Sequence, residues 1–235
     1  EAFMLQLALG ERGRQLGAQK AIARPPVPGR LADKFDAQLP FSLTEDQLVV
    51  GEQISKDLDQ SHPMHRLLQG EVGSGKTVVA LRAILQVIDA GGQAALLAPT
   101  EVLAAQHYAS IKKMLGKLAE PGLFGEGEGT GVALLTGSAK SAHRREALLG
   151  IASGETGLII GTHALLSDYV QFADLGLVVV DEQHRFGVEQ RDALRSKAVG
   201  SVPHTLVMTA TPIPRTVAMT VFGDLDTSTI KRLPA

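Results

Sequence analysis

The sequence predicts an α/β domain, a mostly parallel sheet with helices on both faces. Six segments of strand length carry this reading: HRLLQG (65–70), QAALLAP (93–99), GVALLTG (131–137), GLIIGTH (157–163), LGLVVVDE (175–182) and HTLVMTAT (204–211). Strands this continuously apolar are covered on both faces, as the strands of parallel sheets are. Helical patterns lie between several of them, and alternation of strand and helix builds a parallel sheet. Residues 78–88 are apolar on most sides, with a narrow polar stripe at Arg82, Gln86 and Asp89, so this helix is buried; Gly91 and Gly92 end it. TEVLAAQHYASIKKML (100–115) and SAHRREALLGIASG (141–154) are further helical segments. Ligands of such sheets bind beyond the carboxyl ends of the strands, and every chemically suggestive motif below sits there.

Composition bounds the function. The chain has 235 residues, 44% of them apolar, which suits one large domain or one domain with an appendage. The net charge is −2, so a strongly basic surface is excluded and any nucleic-acid contact is local, or shared with parts of the protein outside this sequence. The absence of cysteine excludes disulfides and thiolate metal sites and fits a reducing cytosol. No apolar run approaches the length of a membrane span. The start Glu1-Ala2-Phe3 is neither an initiator Met nor a signal peptide, so a cytoplasmic fragment of a longer protein is expected. Residues 1–20 have apolar positions at helical spacing. ARPPVPGR (23–30), with prolines at 25, 26 and 28, reads as a linker. Residues 1–40 are therefore an N-terminal helix and Pro-rich linker, and 41–235 the main domain. EPGLFGEGEGTG (120–131) reads as a flexible surface loop.

Gly70-Glu71-Val72-Gly73-Ser74-Gly75-Lys76-Thr77 is a complete G-x-x-x-x-G-K-[ST] phosphate-binding loop, with an apolar strand before it and a helix after it. The glycines let consecutive N–H groups turn toward an anion, and the helix offers its positive end to phosphate. Lys76 supplies a point charge to the β and γ phosphates, and the Thr77 hydroxyl can ligate Mg²⁺. Further on, Asp181 and Glu182 follow an apolar strand. A carboxylate at a buried strand tip can hold a hydrated Mg²⁺, and its neighbour can accept a proton from the attacking water. Asp181 is thus the metal residue and Glu182 the general base, with Lys76 completing the catalytic group.

In order along the chain, LTEDQ, LLQGEVGSGKTVVA, LAPTEVLAAQH, LLTGS, IIGTHALL, VVVDEQHRFGVEQR and VMTATPIPRT resemble the first motor domain of RecG-type ATP-dependent DNA helicases of the second superfamily. The resemblance runs from about Phe41 to the end. It implies a RecA-like P-loop NTPase domain, ATP and Mg²⁺ as cofactors, and branched or forked duplex DNA as partner. It also implies a second motor domain and a wedge domain of the same protein, neither of which this sequence contains. By the same resemblance Gln47 would read the adenine edge, although Thr44 and Gln47 also form a capping box. Pro99, Thr100 and Glu101 would line the DNA backbone track, with the rival that Thr100 only caps the following helix. Gly161, Thr162 and His163 are a second candidate strand contact, His163 being as well read as structural. Gln183 and His184 would couple the nucleotide site to DNA, and Thr209, Ala210 and Thr211 would link hydrolysis to domain movement. Arg185 stays open between pairing with a nearby carboxylate and plain surface, and Arg215 between DNA phosphate, domain contact and plain surface.

A transcription-repair coupling translocase shares the GTHALL-like, HRFG and TATPIPRT segments and is the alternative; DEQHRFGVEQ fits the RecG type better. A metabolite kinase or GTPase-like switch would lack the ordered TATP and DEQH segments. A non-catalytic nucleotide-binding scaffold is disfavoured by intact Lys76, Thr77, Asp181 and Glu182.

Overall fold

The computed structural model describes residues 19–121, 129–138, 140–181, 193, 196–198, 200–211 and 225–231. Most of the helix expected over 1–20 and most of the glycine-rich loop lie outside the described residues; residues 19 and 20 are not helical.

Seven parallel strands form one sheet: β1 (His65–Gly70), β2 (Gln93–Leu97), β3 (Gly131–Leu135), β4 (Thr156–Gly161), β5 (Leu175–Asp181), β6 (His204–Thr209) and β7 (Asp226–Ile230). Their order is β3-β4-β2-β5-β6-β1-β7, and every pairing is parallel. The helices are α1 (Leu31–Gln38), α2 (Glu45–Leu58), α3 (Lys76–Asp89), α4 (Glu101–Leu115) and α5 (Ser141–Ser153). This is a RecA-like arrangement. Because successive strand residues point to opposite faces, the apolar strands feed two separate cores. Ala94, Leu96, Leu158, Ile160, Leu177, Val179 and Leu206 pack beneath α1 to α4. Ala95, Leu97, Ile159, Val178, Val180 and Val207 pack on the other face, against Ile151 of α5 and Ala164 and Leu165 of a short 3-10 turn. Residues that must be apolar on both faces explain the unbroken hydrophobic runs.

Two elements have weak sequence signals. The edge strand β7 reads Asp-Thr-Ser-Thr-Ile, with only Ser228 and Ile230 buried. It pairs with β1, Gly70 opposite Ile230. Helix α1 buries only Leu31 and Phe35.

The polar stripe of α3 has a structural purpose. Arg82 makes a forked pair with Asp36 of α1, Nε to Oδ1 at 2.8 Å and a terminal nitrogen to Oδ2 at 2.9 Å. The Gln86 amide donates to the Arg24 carbonyl at 2.7 Å. Asp89 accepts the backbone N–H groups of Leu31 (2.9 Å) and Ala32 (3.0 Å), satisfying two donors at the start of α1. The proline-rich stretch and α1 are thus laid along this one stripe. Arg24 is buried, and its guanidinium donates to Asp174 at 2.7 Å. His204 at the start of β6 accepts the Met64 N–H at Nδ1 (2.9 Å), and its Nε2 lies 3.0 Å from the Ile22 carbonyl, so Nε2 carries the proton.

Burial pushes the His204 imidazole below its ordinary pKa; Arg24 and His62 act in the same direction, while the bond to Ile22 and the nearby Asp57 oppose it. A histidine base depressed in the folded state is kept neutral there, so its contribution is complete above the ordinary value near 6.5 and is lost as pH falls below it. Thermal unfolding followed from pH 8 to pH 5 should therefore show an acid-side loss that begins below about pH 6.5. His204→Gln should lower the neutral midpoint and flatten that loss.

Candidate nucleotide site and nucleic-acid face

The loop between β1 and α3 has the shape its sequence demands. Gly73 (φ 86°) and Gly75 (φ 82°) adopt the left-handed conformation open to glycine, and Gly75 caps α3. Ser74 is 1% exposed, and its hydroxyl has no partner. An orphaned polar atom inside a glycine-walled cradle fits a loop built for an anion. The Lys76 ammonium donates to the carbonyls of Gly70 (2.6 Å) and Glu71 (2.9 Å). Burial holds its pKa below the ordinary lysine value, opposed by the charge of Asp181. Gly70 ends β1, Glu71, Val72 and Gly73 are exposed, and Thr77 in the first turn of α3 is half-buried.

Gln47 is 1% exposed. Its side chain closes the expected capping box, accepting the Thr44 N–H at 2.9 Å, while its amide nitrogen donates to the Ser74 carbonyl at 2.9 Å. It therefore braces the phosphate loop from α2. A Cβ on Gly75 would run into the Gln47 amide nitrogen. Gly75→Ala should thus cost about 1–3 kcal/mol from the left-handed backbone alone. It should also break the Gln47 bond; a fluorescent ATP analogue should bind at least about tenfold more weakly, one decade being about 1.4 kcal/mol.

Asp181 ends β5, two strands from β1, with β6 between them. It is buried, and its Oδ2 lies 2.5 Å from Nε2 of His107 on α4. The Thr209 hydroxyl, at the end of β6, is engaged locally. It accepts the Thr211 N–H at 3.2 Å. Ala210 lies between them, half-buried. Glu182, Gln183, His184, Arg185 and Arg215 lie outside the described residues.

Beyond β5, the ends of β2 and β4 form the second half of this edge. Thr100 caps α4, its hydroxyl accepting the Leu103 N–H at 3.2 Å; Pro99 is half-buried beside it. Glu101 grips Ser138 after β3, accepting the backbone N–H at 3.1 Å and the hydroxyl at 2.5 Å. Those two bonds hold its carboxyl below the ordinary range. Gly161 is enclosed, since a Cβ there would meet the Leu135 carbonyl. Thr162 is 1% exposed with an unpartnered hydroxyl, so of Gly161, Thr162 and His163 only His163 presents its side chain to solvent. Among the described residues no cluster of three or more His, Asp or Glu gathers to hold a metal by protein ligands alone. No described helix is long and apolar enough to cross a membrane.

With this geometry in place, comparison with known proteins decides the family. The DEAD/DEAH box helicase family matches residues 44–220. The chain belongs to that family. The resemblance to RecG-type helicases holds over the whole chain. It is 60% identical over 236 residues to the ATP-dependent DNA helicase RecG of Mycobacterium tuberculosis (strain ATCC 25618 / H37Rv), covering 100% of this chain and 32% of that protein. It is 49% identical over 234 residues to the RecG of Synechocystis sp. (strain ATCC 27184 / PCC 6803 / Kazusa), covering 100% of this chain and 27% of that protein. A structure of RecG bound to a three-way DNA junction superposes with a TM-score of 0.81 at 39% identity, over 99% of this chain and 29% of that one. The DEAD-box helicase Mss116, at 21% identity and a TM-score of 0.60 over 90% of this chain and 47% of its own, shares the fold. The chain spans about a third of the length of the M. tuberculosis relative.

His107 is the functional candidate absent from the sequence reading. The periodicity of α4 contained its signal, since it stands on the same face as Ala104 and Ile111, both buried.

Proposed function

We propose that this chain is the ATP-binding motor domain of a DNA helicase that remodels branched DNA, such as stalled forks and junctions. The observation that carries the reading is the complete phosphate loop, shaped for an anion, in a chain similar throughout to RecG helicases, one of them solved on a three-way DNA junction. Gly70 to Thr77 would cradle the triphosphate of ATP, and Thr77 and Asp181 would hold Mg²⁺. Bound there, the cation would neutralise charge on the phosphates. Lys76 would turn from its two carbonyls to the phosphates, Glu182 would take the proton of the attacking water, and Gln47 would meet the adenine. Pro99 to Glu101 and His163 would face the DNA backbone, where exposed helix-start N–H groups suit phosphate. Gln183, His184 and Thr209 to Thr211 would relay the nucleotide state. Residues 41–235 would be the motor domain proper, completed by a second motor domain and a wedge domain; without them, 1–235 should bind ATP·Mg²⁺ weakly and hydrolyse it slowly.

The test is a pair of assays on the full-length protein: ATP-dependent unwinding of a synthetic fork, and ATP-dependent displacement of a stalled RNA polymerase. Fork unwinding without displacement supports the proposal. Displacement without fork unwinding overturns it in favour of a transcription-coupled translocase.

A further inference from the structure

We infer that His107 is a positioning residue that ties the DNA-facing helix α4 to the cation-holding carboxylate of Asp181, so that strand engagement and Mg²⁺-dependent nucleotide binding strengthen each other. The inference rests on the proposed assignment of Mg²⁺ to Asp181 and of DNA to Pro99–Glu101.

Placement comes first. In α4, His107 follows Ala104 by one turn and precedes Ile111 by one, and both neighbours are buried. The imidazole is therefore directed inward, where Asp181 meets it across 74 residues of sequence. Their side chains are 16% and 12% exposed, so water competes little for the contact. An ionised carboxylate only accepts, so Nε2 of His107 carries the hydrogen. The imidazole fixes one Asp181 oxygen, and the other would be the one to meet a cation. Outer partners of this kind change metal affinity or activity by about 10–100-fold when removed.

Topology then gives the contact its consequence. The order β4-β2-β5-β6-β1 sets Asp181 between the strands that end in the phosphate loop and those that lead to the candidate DNA contacts. Lys76 acts electrostatically on Asp181 from the nucleotide side, and His107 bonds it from the other. Thr100, the cap of α4, stands seven residues before His107, about 10 Å along the helix axis at ~1.5 Å per residue. A phosphate docking on that helix start acts on a rigid rod whose second turn ends on Asp181. Ligands that favour the same placement of one element raise each other's affinity by the same factor.

The test uses the full-length protein with His107→Phe, which keeps a ring and removes the N–H, His107→Gln, which restores a donor, and Asp181→Asn. Affinity for a fluorescent ATP analogue is measured with Mg²⁺ and with EDTA, with and without forked DNA, alongside the unfolding midpoint. His107→Phe should weaken Mg²⁺-dependent binding about tenfold or more and abolish the gain from DNA, leaving binding in EDTA unchanged. His107→Gln should recover both. A merely space-filling histidine would leave the Mg²⁺ and EDTA affinities in their original ratio. If the Phe variant is destabilised, His107→Asn, whose amide is too short to reach Asp181, is compared with His107→Gln instead. Normal Mg²⁺-dependent binding and DNA coupling in the variants that lack the donor, with both lost in Asp181→Asn, would overturn the inference and spare the site. Normal Mg²⁺ dependence in Asp181→Asn would overturn the site assignment itself and the inference with it.

Discussion

Lys76→Ala in the full-length protein should lower ATP turnover by about a hundredfold to a thousandfold, the loss seen when one preorganised donor is removed from a developing charge. Its fold should survive. Among the described residues the ammonium bonds only to the carbonyls of Gly70 and Glu71, at the open mouth of the loop where water can replace it. Burial also depresses its pKa, so the folded state holds this charge at a cost. Steady-state turnover with saturating DNA, together with a thermal melt, checks both halves. Near-normal turnover with an unchanged melt would remove Lys76 from the catalytic group.

Asp174→Ala should have the largest effect on stability. Arg24 is 3% exposed and lies in a slot between Gly92 and Gly176, where a Cβ on either glycine would press against the guanidinium. Among the described residues its guanidinium has two partners, Asp174 at 2.7 Å and the Ala90 carbonyl at 3.3 Å, and its Nε has none. Removing Asp174 leaves a buried charge without its counter-ion. Breaking a buried pair costs about 3–5 kcal/mol. Because the Asp174 side chain is 38% exposed, water can move toward the vacated side, and the lower end of that range applies. At about 2–4 °C per kcal/mol for a chain of this size, the midpoint should fall by roughly 6–12 °C. Arg24→Met, which leaves a carboxylate able to reach solvent, should cost distinctly less. An equal cost for both would show that packing of the arginine stem, not its charge, holds the segment.

These outcomes bear on what was visible in the chain itself. Strands β1 to β6 were legible because each carries a run of apolar residues, unbroken where the strand is covered on both faces, as β2 and β5 are. Strand β7 was not, since an edge strand with one covered face tolerates Asp226, Thr227 and Thr229 in exposed positions. The stripe Arg82, Gln86 and Asp89 was visible as polar residues on a buried helix, but its partners lie 46 to 62 residues away. Sequence spacing cannot announce that a carboxylate ending α3 will cap α1. Likewise the prolines at 25, 26 and 28 show only that the stretch is not helical, and it is the bond that Arg24 donates to Asp174, with those that Gln86 and His204 donate to the Arg24 and Ile22 carbonyls, that fix it to α3 and the sheet.

The candidate site divides in the same way. The phosphate loop is local, eight consecutive residues whose backbone conformation follows from Gly73 and Gly75, so the sequence suffices for its shape. The double use of Gln47, in a capping box and as a brace on Ser74, was half visible; the box is local and the brace spans 27 residues. Thr100 and Gly161 show why the proposed DNA-facing positions were harder. Thr100 is a helix cap and Gly161 a packing necessity, and either role accounts for the residue type without DNA. His107 was legible as an inward position on α4, but not as the partner of Asp181.

The most direct test of the central claim, a phosphate-loop motor that acts on branched DNA, is ATP turnover by the full-length protein on three DNAs of equal length: a fork, a linear duplex and a single strand. Turnover should be highest on the fork and should fall about a hundredfold or more on all three in Lys76→Ala. Equal stimulation by every DNA, or fork-stimulated turnover that persists without Lys76, would contradict it.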